Sequence, residues 1–339
     1  MAGAFAITKG TADEARWRGA TRAGGRGPVP GPDGIVDRAP ATWGLAARGA
    51  LVEDGGPPLH LADLNRRDEV WADIAPKLYA QALAGQWDPA TAVDWTAPID
   101  HEPAVEAAVV QVMTYLVENE QAALVVPARF IARVHPHFRE VVQLLAVQAA
   151  DEARHVEVFT RRAELSSSPL GTSGAGGRAS LQTLLDEPDF SLAAFLLSVL
   201  GEGTFLDLLS FLERHGPDPV TRRIAHLALT DEARHVAFGV AHLEHRVRHE
   251  PALRGRLRAA VEHRHDVLAS TAGLHAGVYD ALVVLAAGAW TPAAIAAGWD
   301  RVQVLIAAMD EGRRRRLARL GFSPDEAAEL SALHTRNFM

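Results

Sequence analysis

The chain has 339 residues, 48% of them hydrophobic and 22% charged, with a formal net charge of −8 and no cysteine. That is enough apolar material for one large helical domain or two small ones, and too much for a chain disordered throughout. The acidic balance argues against a nucleic-acid partner, and the lack of cysteine excludes disulfides, thiolate metal sites and cysteine nucleophiles.

Ala, Leu, Arg and Glu dominate, a composition that favours helix. Residues 1–65, with TRAGGRGPVPGPDG at 21–34, read as a loose, loop-rich arm. The start AGAFAI runs straight into mixed charge, unlike a secretory leader, so a cytoplasmic location is expected. A helix is predicted over 66–84, then a turn-rich connection, QWDPATAVDW. A long helix begins near Pro103, and Pro127 should kink or end it. A second runs from about His137 to Glu164. SSSPLGTSGAGG, at 166–177, reads as a flexible crossover, because the Lys-Ser/Thr ending of a phosphate loop is absent. A third helix covers about Ser191 to His215, stopping at Gly216-Pro217, and a fourth about 219–247.

Two or three further helices should fill 252–335. Ala281 to Trp299 carries no charge, but Thr291-Pro292 inside it resembles an N-cap followed by a first-turn proline. Two buried helices joined at that point are expected, with no membrane span. The run Arg313 to Arg316 reads as a solvated basic face. The predicted fold is all-α. Two short-loop helical hairpins joined by one long crossover make a four-helix bundle over 66–247, with accessory helices at 248–339 packed on it.

One five-residue word, DEARH, occurs at 151–155 and again at 231–235. Each copy contains Glu-x-x-His: Glu152 with His155, and Glu232 with His235. Residues three apart share a helix face. Leu145, Ala149, Val156 and Phe159 lie at helical spacing around Glu152, and Ala225, Ala228, Leu229 and Val236 around Glu232, so both carboxylates sit on apolar stripes. A buried carboxylate needs a partner such as a cation. The partner helices each offer one inward glutamate. Glu202 lies among Phe195, Val199, Phe205 and Leu209; Glu120 lies among Met113, Leu116, Val117 and Leu124, whereas Glu118 has Gln111, Thr114 and Gln121 around it. Glu120 precedes Glu152 by 32 positions and Glu202 precedes Glu232 by 30, which places each pair at equal depth in a hairpin.

Four glutamates and two histidines thus converge from four helices, the donor set of a di-iron or di-manganese carboxylate site in a ferritin-like bundle. Asp151 and Asp231 are in register to orient a histidine of the opposite hairpin, with Arg154 and Arg234 balancing their charge. A solvated helix charge cluster would explain one DEARH but not two on apolar stripes.

The sequence resembles the ferritin-like di-iron oxygenases and oxidases. DEARH is close to the Asp-Glu-x-Arg-His word of the bacterial multicomponent monooxygenase hydroxylases and acyl-carrier-protein desaturases. YAQALAGQWDPATAVDW is similar to the lead-in of the ribonucleotide reductase small subunit, and the likeness spans about 75–247. The resemblance implies two iron ions, with manganese as an alternative, that activate O2 against a small apolar or aromatic metabolite. It also implies an external electron donor and a homodimer. Phe159, Phe195, Phe205 and Phe238 would wall the substrate pocket and keep water out. Phe159 stands where the reductase subunit carries its radical tyrosine. Phe205 and Leu206 stand where hydroxylases and desaturases carry a threonine, and Ala228 and Leu229 where similar N-oxygenases carry an extra histidine. A biosynthetic oxygenase is therefore the leading expectation. An iron-storing ferroxidase or a metal-radical subunit is the alternative.

Overall fold

A computed structural model describes residues 34–166, 169–269 and 276–337. The first 33 residues of the expected N-terminal arm lie outside it. Eleven helices are present among the described residues: α1 (Arg67–Val70), α2 (Ala75–Ala84), α3 (Pro103–Ile131), α4 (Arg139–Glu164), α5 (Ala175–Leu185), α6 (Phe190–His215), α7 (Pro219–His249), α8 (Leu253–Leu268), α9 (Ala276–Ala287), α10 (Pro292–Arg319) and α11 (Pro324–Asn337). No strand forms among these residues, only isolated bridges at Arg38–Arg66 and Leu64–Val134.

The bundle consists of α3, α4, α6 and α7. Its helix starts are written locally. Asp189 caps α6 by accepting from Leu192 N at 3.0 Å, and Asp218 caps α7 by accepting from Thr221 N at 2.7 Å, with Pro219 in the first turn. Each helix turns an apolar stripe inward, and Met113, Leu116, Phe159, Leu208 and Ile224 are almost fully buried between them.

Several boundaries differ from those expected. The helix at 66–84 is broken at residues 71–74. Pro76 cannot donate within a helix interior but suits a first turn, so α2 begins there. Pro127 neither ends nor closes α3, which runs on to Ile131; Pro127 is buried, and the cost of its missing donor is offset by packing. The glycine-rich crossover is no loose loop. Gly176 and Gly177 lie in the first turn of α5, Gly171 N donates to Thr114 Oγ1 at 2.8 Å, and Gln111 bonds Thr172 through both its amide atoms. Ser167 and Ser168 lie outside the described residues.

Residues 34–65 are likewise pinned. Val36 N donates to His137 Nε2 at 3.1 Å, and Arg48 bonds Glu140 at 2.9 Å. The C-terminal region holds four helices, one more than the upper expectation. Thr291 caps α10 as predicted, accepting from Ala294 N at 3.3 Å. The start of α10 is not buried, however: Trp290 and Trp299 are 60% and 50% exposed. One described helix, α6, is long and apolar enough to cross a membrane, and 78% of its apolar window is buried inside the protein.

The arginine run is the largest reversal. Arg313 is 1% exposed and Arg316 is only partly exposed, which leaves Arg314 and Arg315 as the fully solvated pair. Helical spacing sets 313 and 316 on one face, and that face packs against α6.

Candidate metal centre

Glu120 on α3, Glu152 and His155 on α4, Glu202 on α6, and Glu232 and His235 on α7 meet at one level of the bundle, each at most 3% exposed. Their donor atoms fall into two groups. Glu120, Glu152, His155 and Glu232 bring one atom each within 4.8 Å of one another, and so do Glu152, Glu202, Glu232 and His235. Glu152 and Glu232 belong to both groups. Two cations held there would share Glu152 and Glu232, with Glu120 and His155 completing one group and Glu202 and His235 the other.

The pattern of missing hydrogen bonds points the same way. Glu120 Oε1, Glu152 Oε1, Glu202 Oε2, both carboxylate oxygens of Glu232 and His235 Nδ1 are buried without a hydrogen-bond partner. His235 Nδ1 lies 3.0 Å from Glu152 Oε1, yet the two do not align as donor and acceptor. Six orphaned atoms aimed at a common space cost several kcal/mol unless a cation sits among them. Four carboxylates carry the charge that two divalent cations would neutralise. Oxygen with imidazole suits iron or manganese over softer metals. The residues fit such a pair.

The protonation of the bare site follows from the crowding. Burial and then the Glu152 charge push Glu120 well above the ordinary carboxylate range, and burial and then Glu232 do the same to Glu202. Burial works against charge on His155 and His235, but the surrounding carboxylates outweigh it and hold both well above their usual value.

A second layer of charge closes the site. His155 Nε2 lies 3.3 Å from Asp231 Oδ2, and His235 Nε2 lies 3.1 Å from Asp151 Oδ2, each aspartate crossing to the opposite hairpin. Their ring Nδ1 atoms are thereby turned inward. Arg154 pairs with Asp151 and, at 3.2 Å, with Asp231; Arg234 pairs with Asp231 and, at 3.2 Å, with Asp151. Two aspartates and two arginines leave this layer neutral.

Three residues here escaped the sequence reading. Trp87 donates its indole N–H to Asp231 Oδ2 at 2.8 Å, stacks at 6.4 Å from the His155 ring, and receives the Arg154 guanidinium at 5.0 Å. Gln86 donates to Asp151 at 3.3 Å. Both sit in the turn-rich connection, where no periodicity indicates direction. Gln148 donates to Glu202 Oε1 at 3.0 Å. One turn before Glu152 on the same stripe, Gln148 was legible as an inward polar residue.

The helix carrying Glu202 is not α-helical around it. Phe195–Glu202 forms a π-helix, which inserts an extra residue per turn and is common at functional sites. The four phenylalanines expected to share a wall do not line one cavity among the described residues. Phe205 lines a narrow cavity reaching Glu120 and Glu202, with Leu184, Leu196 and Leu197. Phe238 lines a separate pocket beside Gln148, Phe159 lies 6.4 Å from the His155 ring, and Phe195 is buried in the core. They hang from three helices at different levels.

No protein-family model matches the chain, and no curated protein matches it. Solved structures do. It is similar to a substituted variant of an R2-like ligand-binding oxidase with an aerobically reconstituted Mn/Fe cofactor, at 18% identity and a TM-score of 0.50, covering 74% of this chain and 92% of that one. A second variant of an R2-like ligand-binding oxidase, with an anaerobically reconstituted Mn/Fe cofactor, gives the same identity, coverage and TM-score. The fold is that of the R2-like oxidases. At this identity the likeness establishes the ferritin-like helical architecture, and the chemistry rests on the residues of the chain itself.

Proposed function

We propose that the chain is an O2-dependent di-metal oxygenase or oxidase, with two iron ions or a manganese–iron pair held by Glu120, Glu152, His155, Glu202, Glu232 and His235. The observation that carries this reading is the pair of overlapping donor groups that share Glu152 and Glu232. The R2-like oxidases of the same fold carry an Mn/Fe cofactor, which favours iron or manganese here too.

When bound, the metal pair supplies the redox chemistry that activates O2. The residues do the rest. Asp151 and Asp231 fix the histidine rings, and Gln148 holds one oxygen of Glu202. Leu184, Leu196, Leu197 and Phe205 keep bulk water away. The narrow cavity they line, of about 20 Å³, has room for O2. A larger substrate must displace those side chains, and their character selects a small apolar or aromatic molecule. Electrons come from an external donor, and the enzyme works as a cytoplasmic homodimer.

Anaerobic loading with Fe(II), alone and with Mn(II), tests the proposal. Two metals per chain and a transient absorbance on mixing with O2 are expected. A chain that takes up no metal, or that mineralises hundreds of irons per assembly, would overturn it.

A further inference from the structure

The buried arginines of α10 meet α6 at the π-helix. Arg316 Nε donates to Val199 O at 2.8 Å. A Cβ on Gly203, the residue after Glu202, would lie 2.4 Å from Arg316 Nε and 2.6 Å from its Cζ. The guanidinium therefore lies directly on the backbone that ends the π segment, and only glycine leaves room for it. Gly312, one turn before Arg316, clears space from the other side: a Cβ there would lie 3.0 Å from both Arg316 Nη1 and Asp207 Oδ2. Asp207 supplies opposing charge, and burial lowers Arg316 to about 10, still far above neutrality. Arg313 donates to Thr204 Oγ1 at 3.2 Å, and that hydroxyl donates to Leu200 O at 2.6 Å. Two arginines thus grip residues on both sides of Glu202. A π segment trades i→i−4 bonds for i→i−5 bonds of poorer packing and needs outside support to persist.

We infer that Arg316 is a positioning residue for Glu202: by holding the π segment it aims this carboxylate at Glu152, Glu232 and His235, and so sets the metal affinity of that half of the centre alone. The inference rests on the metal reading above. It gives the C-terminal helices a role in the site that the bundle does not fill itself. Lysine can replace Arg316 only in part, because the contact is made by the Nε edge of a planar guanidinium.

The test is calorimetric titration of metal-free, full-length protein with Mn(II) under argon, where no turnover intervenes. Wild type is expected to bind two ions. Arg316→Met should weaken one step by about 10–100-fold, the usual loss when a residue supporting a ligand is removed, and leave the other within about 3-fold. Arg316→Lys should fall between. Gly312→Ala separates positioning from folding: alanine favours helix over glycine, yet its methyl crowds Arg316, so the same step should weaken with stability kept. Leu330→Ala, a cavity in the same accessory helices, should destabilise the chain and leave both steps alone. Equal weakening of both steps by Arg316→Met, an unchanged isotherm, or Leu330→Ala reproducing the Arg316→Met isotherm would overturn the inference. A wild type that binds no Mn(II) would sink the metal reading itself.

Discussion

At the scale of the residue, the six donors differ in what their loss should do. Glu120 serves one donor group and Glu232 serves both. Glu120→Ala should therefore weaken one metal position, while Glu232→Ala should abolish stoichiometric binding at both, measured by metal content after gel filtration. The metal-free forms should move the other way. Burial and the Glu152 charge already oppose ionisation of Glu120, so metal-free Glu120→Ala should melt no lower than metal-free wild type. A Glu232→Ala protein that retained two metals would refute the shared-ligand geometry. The donors themselves were legible in the sequence, because a carboxylate on an apolar stripe is an anomaly that two DEARH words repeat. Trp87 was not. An indole in an irregular turn carries no direction until α4 and α7 are placed beside it, and only then does its N–H find Asp231.

At the scale of the element, periodicity located the helices but not their irregularities. The third bundle helix reads as one apolar run, and nothing in FLLSVLGE, at 195–202, marks a π-helix. Tertiary contacts flank the segment, with Arg316 on one side and the close approach of α7 on the other. A Cβ on Gly239 would lie 2.3 Å from Ser198 Cβ, inside the π segment. Gly239→Ala should therefore cost about 1–3 kcal/mol by overpacking, although alanine is the better helix former. Denaturant unfolding reads this directly, and a stabilised variant would show that α6 and α7 do not meet so closely. The crossover was misjudged for a related reason. Glycine and serine predict looseness only when nothing binds them, and Thr114 and Gln111 on α3 do bind Gly171 and Thr172.

For the whole molecule, amphipathic stripes declare that a face is buried and are silent about its partner. The sequence therefore could not reveal which apolar cluster each C-terminal helix joins: Leu317 and Leu330 lie in the cluster that holds Phe195, and Leu282 and Met309 in the one that holds Phe159. Nor could it reveal a buried ion cluster at the far end from the DEARH words. There Arg162 bonds Glu106 twice at 2.8 Å and Asp218 at 2.8 Å. These groups contribute to the acid limit of the fold. Burial alone would raise Glu106 and Asp218, but Arg162 overrides it and holds them below their ordinary values of 4.5 and 3.8. Carboxylates depressed in the folded state contribute stability that is complete above those values and is lost as pH falls through the lower, folded ones. His242 acts over a higher window. Burial lowers its pKa from 6.5 to about 3, and the neutral ring bridges Ser191 Oγ at 3.0 Å and Trp71 O at 3.2 Å. Its share of stability is whole above pH 6.5 and drains away as pH drops toward 3. The contributions of these groups to the unfolding free energy should therefore decline in two stages, that of His242 below pH 6.5 and that of the Arg162 cluster below about 4.5. His242→Gln should flatten the first stage at a cost of about 1–2 kcal/mol near neutrality. Arg162→Ala should remove about 3–5 kcal/mol at pH 7 by taking the guanidinium away from two buried carboxylates, and without it the second stage should shrink. Denaturation midpoints of the metal-free protein between pH 3 and 8 decide both points, and a His242→Gln profile parallel to wild type from pH 6.5 to 4.5 would show that this histidine is not held neutral by the fold.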